Sequence, residues 1–589
     1  MKTFKLFVTC ALSLSLCLTG FAFPDSAQQV ASYRFSSRRP VIEKDDKFVE
    51  DEVIVVTDVS ADEESLQMAG ISKDVSLLMS DAESETYRIS LCDEIDVERA
   101  LDAYVEIPAV LYAQPNYQIE QDGMLLGSEQ TSGVRQWQHE VLHTKEAWEL
   151  MDRVPGRQCV KVAVIEGAVD INHPDLKENI DTENSCSLAN GYKEAITTVA
   201  ANDHSTHVAG IIAAVSDNNI GTEGIACGTN NDCVKIVSVN VYKNGSDAGG
   251  SVTADVIISA LQYAVTCGCR VINMSFGVGY IKNQAIENAV TSAFNSGAVV
   301  VCAAPNNHST QYAVPSDVEQ SISVIDLAYS GNGLSRQPDS DYGEYKDISA
   351  PGTSIYSTKT GGTYGYYTGT SMAAPMVSGV AALVCSTNPG LTSAQVRRLL
   401  IWTARDLGAS GWDNDTAAGC VDAYQAVYIA LWMKDSTLLP DEKLTFSNEI
   451  APLPKTLEDI FVTDKFKPLL YFFCDSNLSC GSPLALTTEN LEKYVVPLES
   501  GELTACEFFD ELRSKSTLTL DSSHDYLMFV YDLFLHRKPT LQEAQAGYYL
   551  LLEANGRNAL ADQLLHSDEF ILRCKNSYVT AGDGLTEFK

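Results

Sequence analysis

A chain of 589 residues, 45% of them hydrophobic, exceeds what one ordinary core accommodates, so it divides into two or more domains. Its 41 Lys and Arg stand against 78 Asp and Glu, a net charge of −37 that favours solubility and repels phosphate backbones and anionic lipid surfaces. Nucleic acid is thereby excluded as a natural partner.

Lys2 and Lys5 lead an apolar run from Leu6 to Phe23 with polar sequence after it, the pattern of an export signal over residues 1–27. Secretion or attachment at the cell surface follows from it. Sixteen cysteines in an exported chain point to disulfides. Cys227 and Cys233 bracket the polar loop GTNND, and Cys474 and Cys480 bracket DSNLS, so each pair is expected to close a short bridge. Cys267, Cys269, Cys302 and Cys385 lie in apolar segments and are expected as buried free thiols. Within residues 28–125 the pattern predicts strand 53–56, helix 61–68, strand 86–91, helix 96–103 and strand 110–112, a small α+β unit. Across residues 130–432, apolar β-branched runs such as VKVAVI and VKIVSVNVY alternate with helical stretches. That alternation predicts an α/β domain, a parallel sheet with helices on both faces. Prolines at 440, 452 and 454 mark a linker that opens a region, 433–519, of no assignable fold. Over 520–576, Phe529, Val530, Leu533 and Phe534, then Tyr548, Leu551 and Leu552, recur at helical spacing and predict a small helical domain.

Two segments carry chemistry. In Gly369-Thr370-Ser371-Met372-Ala373-Ala374-Pro375 a serine opens an apolar helical run. Free N–H groups and the positive end of the helix dipole stabilise an oxyanion there, although an N-cap serine occupies the same kind of position. In Asp203-His204-Ser205-Thr206-His207 a histidine stands in the first turn of a second helix, where it serves as a general base or as a structural side chain. His204 and His207 are also spaced to share a metal on one helix face, but no third ligand motif accompanies them.

The segments VAVIEGAVDINHPDL, HSTHVAGIIAA, VINMSFG, AAPN, DISAPG and GTSMAAP resemble, in this order, the signature blocks of the subtilisin-like serine proteases. The resemblance implies a subtilisin-like fold and a peptidase acting on polypeptide substrates. It assigns Ser371 as nucleophile, His204 as base, Glu166 as triad acid, and Asn306 with the Ser371 N–H as oxyanion hole. Ser275, Phe276 and Gly277 would form one edge of the substrate groove, with Gly250 on the opposite edge. Asp175 and Asn218 resemble side-chain ligands of the family's structural calcium site, and both residue types serve equally in turns. Upstream, Tyr112-Ala113-Gln114-Pro115-Asn116-Tyr117 resembles the end of an inhibitory propeptide, which makes the chain's own N-terminal segment a partner and places self-processing between Asn116 and Arg135. The tail, with its closing HSDEF, is similar to a helical domain found at the ends of bacterial secreted proteins, and implies contact with a cell surface or another protein. A catalytically silent scaffold that binds peptides or surfaces is the alternative reading.

The chain departs from the family pattern at three positions around the site. Glu166 replaces the triad aspartate, which shifts the carboxylate by up to about 1.5 Å. Ser205 replaces the glycine after the histidine, and Pro305 replaces the glycine before Asn306, removing an N–H from that loop. Asp170, four residues beyond Glu166, is the alternative acid.

Overall fold

The computed structural model describes residues 38–440, apart from 43–45, 62, 83, 121–124, 127–135, 244–250, 278, 281–282, 331–332 and 409–411, together with Leu560 and Leu564. The expected export signal, the Cys474–Cys480 bridge, almost all of 433–519 and most of the helical tail lie outside the described residues. The chain divides into two compact units, Met1–Tyr117 and Gln118–Lys589.

In the first unit β1 (Phe48–Asp58) pairs antiparallel with β3 (Ser84–Leu91) and with β4 (Val110–Glu120), whose last three residues belong to the second unit. A strand not foreseen from sequence, β2 (Ser72–Ser80), pairs with the outer edge of β3. It buries little, with Leu77 46% exposed, so the hydrophobic alternation that would have revealed it is weak. Between the strands run α1 (Glu63–Leu66) and α2 (Val97–Tyr104). Asp96 caps α2 by accepting from the Arg99 N–H, and Ala100, Leu101 and Tyr104 pack with Val53, Val55 and Ile89 as the core of this unit.

The second unit is built on a nine-stranded sheet in the order β14-β13-β12-β11-β6-β9-β7-β8, with β15 also on β13. The strands are β6 (Val160–Glu166), β7 (Cys186–Ser187), β8 (Glu194–Ala195), β9 (Val234–Asn240), β11 (Val271–Met274), β12 (Val299–Ala303), β13 (Ser321–Ser330), β14 (Gly333–Arg336) and β15 (Ile348–Pro351). Outside it, β10 (Ser251–Thr253) pairs with the end of β4, and β16 (Ile355–Lys359), β17 (Thr363–Thr368) and β5 (Leu125–Leu126) make a small antiparallel sheet. The helices are α3 (Trp137–Val141), α4 (Thr144–Met151), α5 (Asp203–Ala213), α6 (Ala254–Thr266), α7 (Gln284–Asn295), α8 (Thr370–Thr387), α9 (Ser393–Trp402) and α10 (Ala423–Asp435).

The continuous apolar runs are the buried central strands; every residue of β12 is buried. The expected parallel sheet is parallel through its centre but mixed at its ends, where β8 and β14 run antiparallel to their neighbours. Both are short hairpin returns, which need few residues and leave little periodic signal. Of the described helices only α8 is long and apolar enough to cross a membrane, and it is instead 94% buried against the sheet. Leu560 and Leu564, one helical turn apart, are buried in the same core.

Cys227 and Cys233 are both free, which corrects the expected bridge. Cys227 donates its S–H to the Ala214 carbonyl at 2.8 Å, and Cys233 lies beside its own neighbour Asp232, so the two sulfurs are engaged separately. Cys269, Cys302 and Cys385 are buried free thiols as expected, while Cys267 is half-exposed.

The first strand of the sheet, β6, has β9 on one side and β11 on the other, each starting a different direction of growth. Such a reversal opens a crevice at the carboxyl ends of the strands. Glu166 ends β6 and Ser275 follows β11, so both stand at that crevice.

Candidate active site

The expected base and acid, His204 and Glu166, meet where β6 faces the start of α5. Asn202 caps α5 by accepting from the Ser205 N–H at 3.1 Å, which fixes His204 in the first turn. The His204 Nδ1 lies 3.6 Å from Glu166 Oε2, with both side chains buried. That is within ion-pair reach and longer than a formed hydrogen bond. The turn after Glu166 is tied to the helix by the Asn202 N–H and the Ser205 hydroxyl, which both donate to the Ala168 carbonyl, at 2.8 and 3.0 Å. Ser205, a departure from the family pattern, thus anchors the turn that follows Glu166.

Asp170 does not face His204. Its carboxylate accepts from the N–H groups of Asn172 and Gly361, at 3.1 and 2.9 Å. His207 is likewise structural: its Nε2 is 3.0 Å from the Ile355 carbonyl and its ring packs on Tyr367 with 4.6 Å between centroids. Burial pushes its pKa down to about 3, so it is neutral. Among the described residues no group of three or more His, Cys, Asp or Glu could hold a metal ion.

The surroundings of Ser371, the expected nucleophile, are more tightly determined. Gly369 precedes α8 with φ 144°, a conformation that disfavours a side chain. Ser371 donates its hydroxyl to the Ser275 carbonyl at 2.9 Å, and the Ser275 hydroxyl donates back to the Ser371 carbonyl at 3.0 Å. The second bond depends on Pro375, four residues on, which lacks the N–H that would otherwise occupy the Ser371 carbonyl. Asn273 and Ser378 extend the clasp: Asn273 Nδ2 donates to Ser275 at 2.9 Å, and Ser378 donates to Asn273 Oδ1 at 2.8 Å.

Asn306 accepts from the Thr370 N–H through Oδ1 at 3.2 Å, which leaves its Nδ2 available to an anion. Pro305 removes one N–H from this loop, and Asp341, which the sequence reading missed, compensates. Its Oδ1 accepts from the N–H groups of Asn307 and Ser309 at 3.1 and 2.9 Å, its Oδ2 accepts from Tyr280 at 2.8 Å, and its own N–H bonds the Pro305 carbonyl at 2.9 Å. Asp341 lies 34 residues from Asn307 in sequence, and no local pattern announces it.

Of the expected groove residues, Ser275, Phe276 and Gly277 are buried beside α8 and follow β11 directly. Phe276 meets Tyr242 edge to face at 6.2 Å. Gly250 lies outside the described residues, but β10 begins at the next position and carries Gln118–Glu120 as an antiparallel strand. A few residues later Leu125–Leu126 pair antiparallel with Tyr367–Thr368, immediately before Gly369-Thr370-Ser371.

Asp175 and Asn218 do come together: Asn218 Nδ2 donates to Asp175 Oδ1 at 2.6 Å. Asp175 is fully buried and raised in pKa by desolvation, and its bonds come from neutral donors, including the Thr222 N–H at 3.0 Å. The loop beside it has positive φ at Asp217, Asn219 and Gly221, alternate residues that curl the backbone. A buried carboxylate held only by neutral donors fits a cation, and turning the Asn218 amide over would present its oxygen.

Family models match both units: the subtilase family of peptidases at residues 157–419, and the fervidolysin N-terminal prodomain at residues 39–116. The thermophilic serine proteinase of Bacillus sp. (strain AK1) is 31% identical over 432 residues, 72% of this chain and 99% of the relative. Thermitase of Thermoactinomyces vulgaris is 33% identical over 300 residues, 50% of this chain and 96% of its own. Among solved structures, fervidolysin from Fervidobacterium pennivorans, described as a keratinolytic enzyme related to subtilisin, superposes with a TM-score of 0.55 at 25% identity. That match covers 66% of this chain and 62% of fervidolysin.

Proposed function

The chain belongs to the subtilase family, and on that premise we propose that it is an exported serine endopeptidase made as a zymogen. What supports the proposal is that the His204–Glu166 pair lies at the end of β6 and the start of α5, while Asn306 holds the first turn of α8, where Ser371 stands. In the resting state Ser371 is bonded to the Ser275 carbonyl. A substrate N–H that pairs with this carbonyl frees the hydroxyl for His204. His204 then takes the Ser371 proton, Oγ attacks the scissile carbonyl, and the oxyanion is met by Asn306 Nδ2 and the Ser371 N–H. His204 passes its proton to the departing amine, and water hydrolyses the acyl-enzyme by the reverse sequence. Glu166 orients the imidazole and offsets its charge.

The strand pairings support a processing position within the expected span from Asn116 to Arg135. With Gln118–Glu120 on β10 and Leu125–Leu126 on β17, we place the processing bond between Glu120 and Leu125. Export rests on the charged, apolar N-terminal run over residues 1–27, with 28–125 reading as propeptide and 130–432 as peptidase. Region 520–576 reads as a contact module. Asp175 and Asn218 would hold a structural Ca²⁺, neutralising a buried carboxylate.

Labelling by a fluorophosphonate probe tests the proposal. The matured protein should label, and Ser371→Ala should not. Absence of labelling after confirmed propeptide removal would establish the silent scaffold instead.

A further inference from the structure

The edge of β17 that receives Leu125 and Leu126 does not end with them. Thr368 pairs with Leu125 and Tyr367 with Leu126. The same edge runs on through Tyr366, Gly365, Tyr364 and Thr363, and among the described residues no other strand lies along it. In an antiparallel pair, a chain that continued in this register would place its residue two positions beyond the partner of Thr368 opposite Tyr366, and its residue four positions beyond opposite Tyr364.

Those two positions are aromatic, and a third aromatic joins them. Tyr364 and Tyr366 are two apart and share one face of the strand, opposite to Tyr367, which turns to His207. Tyr356 on β16 is the cross-strand partner of Tyr366, with ring centroids 5.0 Å apart, and stacks on Tyr364 at 5.9 Å. All three rings are half-buried, so a continuous aromatic face lies alongside the edge. The chain's own residues at the two positions are Gly127 and Glu129, which have no apolar side chain to lay on it.

We infer that the outer edge of β17 and the Tyr356–Tyr364–Tyr366 face form an extended subsite for the leaving-group side of an extended polypeptide substrate, selecting apolar or aromatic side chains two and four residues beyond the one that pairs with Thr368. The inference rests on the peptidase reading above. Main-chain pairing along the edge supplies affinity, and the alternating side chains against the tyrosines supply selectivity.

Two peptide series test it, identical through the first two leaving-side residues. One stops there; the other extends by six residues with Phe or with Gly at the two selected positions. The Phe extension should raise kcat/KM about tenfold over the Gly extension, as two cross-strand aromatic contacts allow. In Tyr366→Thr and Tyr356→Thr the gain should fall below about threefold, with cleavage of the short peptide retained. Tyr364 is left intact because its hydroxyl bonds Asp175. Fluorescence polarisation of the same peptides on Ser371→Ala gives a readout independent of turnover and should show the same ranking. An equal response to Phe and Gly, or a Phe gain that survives both tyrosine substitutions, overturns the subsite. Failure of fluorophosphonate labelling with the Phe preference preserved in binding would count against catalysis and leave the subsite standing.

Discussion

The two sides of the crevice are held in different ways. Around Ser371 the fixing is directional: reciprocal serine bonds at 2.9 and 3.0 Å, an amide on Thr370, and a buried carboxylate gathering the loop of Asn306. Around Glu166 the contact that matters is a 3.6 Å approach, and the directional bonds hold the backbone turn at Ala168. The proposed nucleophile is therefore positioned by the bonds around Ser371 and Thr370, while the turn beside the proposed acid is positioned through the Ala168 carbonyl. On the proposed mechanism, a change on the first side removes a donor from the reaction, and a change on the second shifts a distance.

The largest effect expected from substitution within this comparison is on the directional side. Asn306→Ala removes the side-chain donor of the proposed oxyanion hole and should lower kcat by roughly 10²- to 10³-fold with little change in KM. A loss confined to KM would show that Asn306 serves binding alone. On the acid side the sequence argues that aspartate, the family's residue, serves better than glutamate, and the structure argues the reverse. On the observed backbone Glu166 reaches only to 3.6 Å, and shortening it withdraws the carboxylate by up to about 1.5 Å. Glu166→Asp should therefore lower kcat about tenfold, a smaller loss than that at Asn306. A rise in turnover would mean that the strand end moves towards His204.

Much of this site was legible because its chemistry is local. The motifs around His204 and Ser371 sit at helix starts, and the apolar runs that form β6 and β12 are continuous. What sequence did not reveal depends on contacts between distant segments. The clamp of Asp341 on Asn307 spans 34 residues, and the bond from Ser275 to Ser371 spans 96. The strand β2 escaped because an edge strand with little burial has little periodicity to read. The bridge expected between Cys227 and Cys233 failed for the opposite reason: spacing suggested a pair, while burial and the Ala214 carbonyl gave Cys227 another partner. Pro305, which subtracts a donor, is intelligible only with Asp341 beside it.

Ser205 offers the finest test of the comparison. Its hydroxyl reaches the Ala168 carbonyl at 3.0 Å and so fixes the turn that follows Glu166. Ser205→Gly should lower stability by about 1 kcal/mol, through one lost hydrogen bond, and should change kcat by about twofold or less while glutamate is present. Its more telling effect is in combination. If the Ala168 anchor is what keeps the strand end at its present distance, releasing it lets the backbone follow a shorter acid inward. Ser205→Gly should then restore part of the turnover lost in Glu166→Asp, a coupling that a double-mutant cycle reads directly. Additive losses would place the control of that distance elsewhere, in the packing of β6 between β9 and β11, and not in the turn.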